Sequence, residues 1–245
     1  MPRIALVTGS TRGLGRATAD RLARRGDHVI VTGRGGAVAR EVAERLRSAG
    51  HQADHLSLDV TSRESVAGAA KDIEGRYGRL DVLVNNAGTL PEATAPGPHR
   101  FTDLDAFART FETNVIGAVT VIEHLLPLLR RSEAARIVNV SSTVGSLSDQ
   151  ADPDSPYYRM VVPGYQASKA ALNSITIGLA KHLAGTPAKV TSVCPGWVQT
   201  DLAPGNRERA PLTPEAAAEV VVRAATLPAG APSGTFIDVD GTVPW

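Results

Sequence analysis

Tyr165 and Lys169, in the run Tyr165-Gln166-Ala167-Ser168-Lys169, stand four residues apart, which on a helix puts both side chains on one face. A phenol beside an ammonium is a device for handling a proton. A free Tyr titrates near pH ~10, and a neighbouring positive charge favours the phenolate and lowers that value. The chain has four tyrosines and four lysines, and only Tyr165 has a lysine four residues on. Such a spacing also arises by chance, so the pair gains its weight from what surrounds it.

The elements that must position the pair are legible in the patterning. Short apolar runs at 4–8, 28–32, 54–58, 82–85, 135–140, 189–194 and 235–238 alternate with helical patterns at 14–25, 37–49, 63–77, 104–131, 166–183 and 214–227. That alternation predicts a parallel sheet covered by helices. Thr213 and Pro214 supply an N-cap and a first residue for the last helix. Two stretches take no assignment: 88–102, rich in Pro and Gly, and 143–164, with three prolines and several acids. Both follow strands on the carboxyl side of the sheet, where open α/β folds bind ligands. Loops in that place tend to carry function.

No linker, repeat or low-complexity tract divides the 245 residues, so one domain with a sizeable core is expected. A balance of 26 basic and 25 acidic residues, with no basic run, argues against nucleic-acid binding. No apolar run approaches the ~18 residues of a membrane span. The opening residues pass straight into strand-like sequence with no signal-peptide pattern. A lone Cys194 excludes an internal disulfide, and the residue is expected to be buried and inert. The six histidines show no metal-ligand spacing. These features predict a soluble, cytoplasmic protein without a metal.

A glycine-rich turn, Thr8-Gly9-Ser10-Thr11-Arg12-Gly13-Leu14-Gly15, joins the first strand to the first helix. Glycines let the backbone turn tightly and approach a pyrophosphate, and the helix start offers free N–H groups with a positive dipole. Read alone, such a turn could be an ordinary strand-to-helix connection. Its spacing is Gly-x-x-x-Gly-x-Gly rather than Gly-x-Gly-x-x-Gly.

That spacing resembles the short-chain dehydrogenase/reductase family, and further matches run along the chain. Asn85-Asn86-Ala87-Gly88 ends the fourth strand, Asn114 lies within a helix, and Ser142 closes the fifth strand in Val138-Asn139-Val140-Ser141-Ser142. Pro195-Gly196-Trp197-Val198-Gln199-Thr200 follows the sixth strand. The resemblance covers residues 3 to about 240. It implies a doubly wound α/β sheet of seven parallel strands, a Rossmann fold, in the order 3-2-1-4-5-6-7.

The resemblance also implies roles. Tyr165 is the general acid, Ser142 bonds the carbonyl oxygen, and Lys169 binds the nicotinamide ribose and lowers the Tyr pKa. Asn114 holds a water linking Lys169 to solvent, and in the family it also kinks its helix. The cofactor site would comprise Gly9, Thr11, Arg12, Gly13, Leu14, Gly15, Arg34, Asp59, Val60, Asn86, Ala87, Gly88, Tyr165, Lys169, Pro195, Gly196, Val198 and Thr200. Thr200 and the Val198 backbone would hold the carboxamide.

Charge at the end of the second strand separates NAD from NADP, because a 2′-hydroxyl calls for a carboxylate and a 2′-phosphate for a cation. Here the strand ends Val31-Thr32-Gly33-Arg34, and no acid follows until Glu41. Arg34, with Arg12 as a second cation, therefore points to NADPH. Several alternatives stay open. Asp59 reads equally as an adenine ligand or a turn carboxylate. Ser141 is the adjacent hydroxyl, but strand alternation turns it away from Ser142. Trp197 reads as core or as substrate-pocket lining, and Tyr157 and Tyr158 could face substrate.

Within the family, Cys194-Pro195-Gly196-Trp197-Val198-Gln199-Thr200-Asp201 and the ending Val243-Pro244-Trp245 resemble the carbonyl reductases. Ser142 and Tyr165 are 23 residues apart, and the insert at 143–164 resembles one that favours a monomer over a homo-oligomer. The implied activity is NADPH-dependent reduction of a small-molecule ketone or aldehyde. A ketoacyl or polyketide ketoreductase, or a dinucleotide-binding regulator without turnover, are the alternatives.

Overall fold

A computed structural model describes residues 1–95, 97 and 101–245; Pro96, Pro98, His99 and Arg100, in the stretch left unassigned at 88–102, lie outside the described residues. The first half runs β1 (Ile4–Val7), α1 (Gly13–Arg24), β2 (His28–Gly33), α2 (Gly36–Ser48), β3 (Ala53–Ser57), α3 (Arg63–Tyr77) and β4 (Val82–Asn85). The second half runs α4 (Leu104–Phe111), α5 (Ala118–Leu129), β5 (Arg136–Val140), α6 (Leu147–Ala151), α7 (Pro163–His182), β6 (Lys189–Val193), α8 (Asn206–Arg209), α9 (Pro214–Ala225) and β7 (Thr235–Ile237). The seven strands form one parallel sheet in the order β3-β2-β1-β4-β5-β6-β7, as expected.

Successive strand residues point to opposite faces, and here both faces are buried. Ala5, Val7, Val29, Val31, Val82, Val84 and Val138 join one cluster with α1, α2 and α9. Ile4, Leu6, Ile30, Leu83 and Ile137 join the other, beneath α3, α5 and α7. The first face is lined by Ala and Val, so α1 and α9 pack closely through Ala17, Ala217 and Ala218. The sheet is thus a rigid floor whose carboxyl edge carries the turns at 8–12, 86–90, 141–146 and 194–202.

Two helical expectations need correction. The pattern at 104–131 is not one α-helix: α4 and α5 are joined by a π-helical segment, Glu112–Gly117, centred on Asn114. Gly117 admits this irregularity, since a Cβ there would sit 2.9 Å from Val60 Cγ2. The helix expected from 166 begins instead at Pro163, whose missing N–H suits a first helical position. The stretches left unassigned hold short pieces, the 3₁₀ turns Pro91–Thr94 and Thr143–Gly145 and the helix α6.

Candidate active site

Lys169 is buried on α7, and its Nζ donates to the carbonyl of Val140 at 2.8 Å, at the end of β5. The same Nζ lies 5.4 Å from the centroid of the half-buried Tyr165 ring. α7 can come this close because Gly145 has no side chain: a Cβ there would sit 2.5 Å from the Cβ of Lys169. Gly88, at the end of the β4 turn, faces the same point, with ordinary contact distances to Asn114 Oδ1 (3.4 Å) and Lys169 Nζ (3.8 Å) from its built Cβ.

Asn114 ties three elements together. Its Oδ1 accepts from the Thr89 N–H at 2.8 Å, and its Nδ2 donates to the Thr89 carbonyl at 3.0 Å and to Ser168 Oγ at 3.1 Å. Ser168 Oγ in turn donates to the Tyr165 carbonyl at 2.8 Å. The side chain of Asn114 therefore bonds protein groups at both ends. The π-helical register around it shifts the local backbone pairing, the kind of irregularity found at functional sites.

Ser142 and Ser141 separate as strand alternation requires. Ser141 is buried, with Oγ donating to the Lys169 carbonyl at 3.4 Å, whereas Ser142 is half-exposed and caps the Thr143–Gly145 turn. Tyr157 is partly buried, beside Thr143 and Cys194, and burial pushes its phenol up. Trp197 is half exposed, and its Nε1 donates to Asn206 of α8 at 3.0 Å, so it is not a core residue. Tyr158 is exposed.

The electrostatics differ from expectation. Burial pushes the Tyr165 phenol above its ordinary value, with Cys194 adding to the effect, and draws Lys169 down to about 8. The lowering of the phenol expected from Lys169 is not seen. The reason is that both groups are desolvated and the ammonium is directed to Val140.

At the other end of the cleft, α1 starts with no side-chain cap and no acid in its first turn, so its N–H groups are free to meet an anion. The floor beneath is made of glycine. A Cβ on Gly9 would lie 3.1 Å from Ala87 Cα, one on Gly13 3.2 Å from Thr200 Cγ2, and Gly9 and Gly13 both have positive φ. Asn86 Nδ2 donates to the carbonyls of Thr8 and Gly9 at 2.8 and 3.2 Å, locking the turn to β4. Only glycine fits at 15, since a Cβ would come within 2.4 Å of that amide. Thr11 packs against Gly33, and Leu14 is in the core. Gly196, with positive φ, lets the turn after β6 pass Leu212; Val198 is buried and Pro195 half-buried beside it.

The two arginines diverge. Arg34 is exposed at the end of β2, and no bond to its guanidinium occurs among the described residues. Arg12 pairs with Asp201, which also pairs with Arg207, and these contacts hold the Asp201 carboxyl down at about 2, Arg207 most strongly. Asp59 behaves as a turn carboxylate through Oδ1, which accepts from the N–H and hydroxyl of Thr61 at 3.0 and 2.8 Å. Val60 is buried and its side chain packs against Gly117.

Sequence reasoning missed Glu92, Thr89, Ser168, Asp201 and Asn206, which position the residues it did find. One local signal existed for Glu92: Val162, before α7, has no side-chain acceptor to cap that helix.

Comparison with known proteins identifies the family and agrees with the fold. Residues 3–211 match the model of the family described as short chain dehydrogenase. The chain is 36% identical over 245 residues to sulfoacetaldehyde reductase 2 of Chromohalobacter salexigens, covering 94% of this chain and 90% of that one. Salutaridine reductase from Papaver somniferum superposes with a TM-score of 0.81 at 28% identity, over 96% of this chain and 99% of that one. A short chain dehydrogenase of Escherichia coli CFT073, solved in complex with NADPH, gives a TM-score of 0.84 at 28% identity, over 96% and 95% of the two chains. With its parallel sheet, its glycine floor and its Tyr165–Lys169 pair on α7, this chain belongs to the short-chain dehydrogenase/reductase family.

Proposed function

We propose that the protein is an NADPH-dependent carbonyl reductase acting on a small-molecule ketone or aldehyde. The observation that carries this reading is the convergence of Tyr165, Lys169, Asn114 and the Ser142 turn at one point on the carboxyl edge of the sheet. The uncapped start of α1 over a glycine floor fits a dinucleotide pyrophosphate, and the exposed Arg34 fits a 2′-phosphate. The solved NADPH complex of an Escherichia coli relative supports the same cofactor.

When bound, NADPH would supply the hydride. Ser142 holds the carbonyl oxygen, and Tyr165 gives its proton to the alkoxide that develops there. A phenol raised by burial keeps its proton through neutral pH and so stands loaded for donation. Lys169, buried beside it, holds the ribose hydroxyls and carries replacement protons. Asn114 joins the β4 turn to α7 and keeps that route in place. Trp197 and Tyr157 line the substrate side, with the 143–164 stretch acting as a substrate loop within one catalytic domain. A single free cysteine suits the reducing cytoplasm.

The test is the loss of NADPH absorbance against a panel of quinones, aryl ketones, aldehydes and β-ketoesters, with NADH in parallel. Turnover of several carbonyls with NADPH preferred is the expected result. Binding of NADPH with no turnover of any carbonyl would overturn the reading.

A further inference from the structure

The start of α7 poses a local problem with a remote solution. A helix start leaves its first N–H groups without partners. Val162 has no side-chain acceptor, and Pro163 has no N–H to satisfy. Gln166 Oε1 accepts the Val162 N–H at 2.9 Å, which leaves the next two donors, Gly164 and Tyr165. Both donate to Glu92, in the 3₁₀ turn after β4: Gly164 to Oε1 at 2.9 Å and Tyr165 to Oε2 at 2.7 Å. Thr102 Oγ1 also donates to Oε1, at 3.0 Å.

Two further observations show that this contact is built. A Cβ at Gly164 would sit 2.8 Å from Glu92 Oε2, and φ at Gly164 is not positive. The glycine is therefore needed for the approach of the carboxylate and not for an unusual backbone. The turn that carries Glu92 starts two residues after Thr89, which Asn114 grips through both its N–H and its carbonyl. Charge-assisted bonds to a carboxylate are short and about twice as strong as neutral ones. One of them ends on the backbone nitrogen of Tyr165 itself.

We propose that Glu92 is a positioning residue for the reduction: it clamps the first turn of α7 and sets where Tyr165 presents its phenol, and Gly164 is the gap that admits it. This rests on the reductase reading above. Misplacement of a reacting group by about 1 Å can cost on the order of 10²-fold in rate, so the clamp acts on kcat rather than on cofactor binding.

The test uses the full chain labelled with ¹⁵N-tyrosine, whose four tyrosines give four backbone amide signals. Glu92→Gln replaces one acceptor oxygen by an NH₂ that faces an N–H donor. The Tyr165 amide should shift and exchange roughly 10-fold faster or more, while the Tyr77 amide stays in place. In the same variant kcat for carbonyl reduction should fall roughly 10- to 100-fold with NADPH affinity retained. Gly164→Ala should reproduce the kcat loss when Glu92 is present and add no further loss in the Glu92→Ala background. A lowered Tm with kcat per folded molecule unchanged would reduce Glu92 to a helix cap and overturn the proposal. An additive Gly164→Ala loss would overturn it as well. If the wild type reduces no carbonyl, the reductase reading fails separately. The Tyr165 amide then judges the clamp: movement supports it, and an unmoved signal overturns it.

Discussion

The starts of α1 and α7 both lie at the carboxyl edge of the sheet, and neither N-cap side chain closes its own helix. Arg12 and Val162 stand at the two N-cap positions, and neither side chain accepts a hydrogen bond there. At α1 the donors look over a floor of glycine with no acid in the first turn. At α7 a carboxylate from 72 and 73 residues away along the chain, Glu92, occupies the Gly164 and Tyr165 donors. At α3 and α9 the problem is solved locally, by the hydroxyls of Ser62 and Thr213, whereas α2 starts at Gly35 with no side-chain cap. The uncapped starts of α1 and α7 are therefore treated in opposite ways. At α1 the donors stay open, and at α7 they are closed with internal charge, which on the proposed reading keeps Tyr165 fixed.

Breaking the α7 end should have the largest effect. Tyr165→Phe removes the proposed proton donor and leaves the packing, so kcat should fall by about 10²- to 10⁴-fold with NADPH affinity unchanged. Steady-state rates alongside a fluorescence titration of NADPH check both halves. Unchanged turnover would remove chemistry from the α7 side of the comparison.

Breaking the α1 end should act on binding. Gly15→Ala forces a Cβ to within 2.4 Å of Asn86 Nδ2 and the Gly9 carbonyl. The expected cost is about 1–3 kcal/mol of stability, as for other overpacked sites, together with weakened NADPH binding. Thermal melts with and without NADPH measure it, and a variant as stable as wild type that binds NADPH normally would show that the floor tolerates side chains. Arg34→Asp tests the charge beside that floor. NADPH affinity should drop roughly 10- to 100-fold, the loss of a charged hydrogen-bonding partner, and NADH affinity should hardly move. An equal fall for both cofactors would take the phosphate away from Arg34.

The smallest effect sharpens the α7 side through pH. Burial lowers Lys169 in the folded protein from 10.5 to about 8, so between these values the unfolded chain binds more protons than the folded one. Stability from this group therefore rises with pH across that window, because a buried ammonium is relieved of its charge. The gap in Tm between wild type and Lys169→Met should shift in favour of wild type between about pH 8 and 10.5. A flat gap would mean that Lys169 does not carry the desolvation penalty described.

Much of this architecture was legible before the fold. The strand at 82–85 matches β4 at both ends, and the other strands agree to within one residue at each end, because strands buried on both faces read as short continuous apolar runs. The Tyr165–Lys169 pair was legible because helical spacing is local. The π-helical segment at Glu112–Gly117 was not, since apolar periodicity does not record which carbonyl each N–H meets. That register is settled by Asn114 reaching Thr89 and by Gly117 against Val60. Arg12 read as a cofactor cation, yet it pairs with Asp201, which lies 189 residues further along the chain.

The sequence by itself determined the family, the order of the elements, the residue types available for proton transfer and the absence of an acid after β2. Each of these is a property of neighbours along the chain, of short apolar runs or of helical spacing. Tertiary structure alone decided that Glu92 closes α7, that Asp201 takes Arg12, and that burial outweighs Lys169 at the Tyr165 phenol. These outcomes depend on which distant groups meet and on how much water is removed when they do.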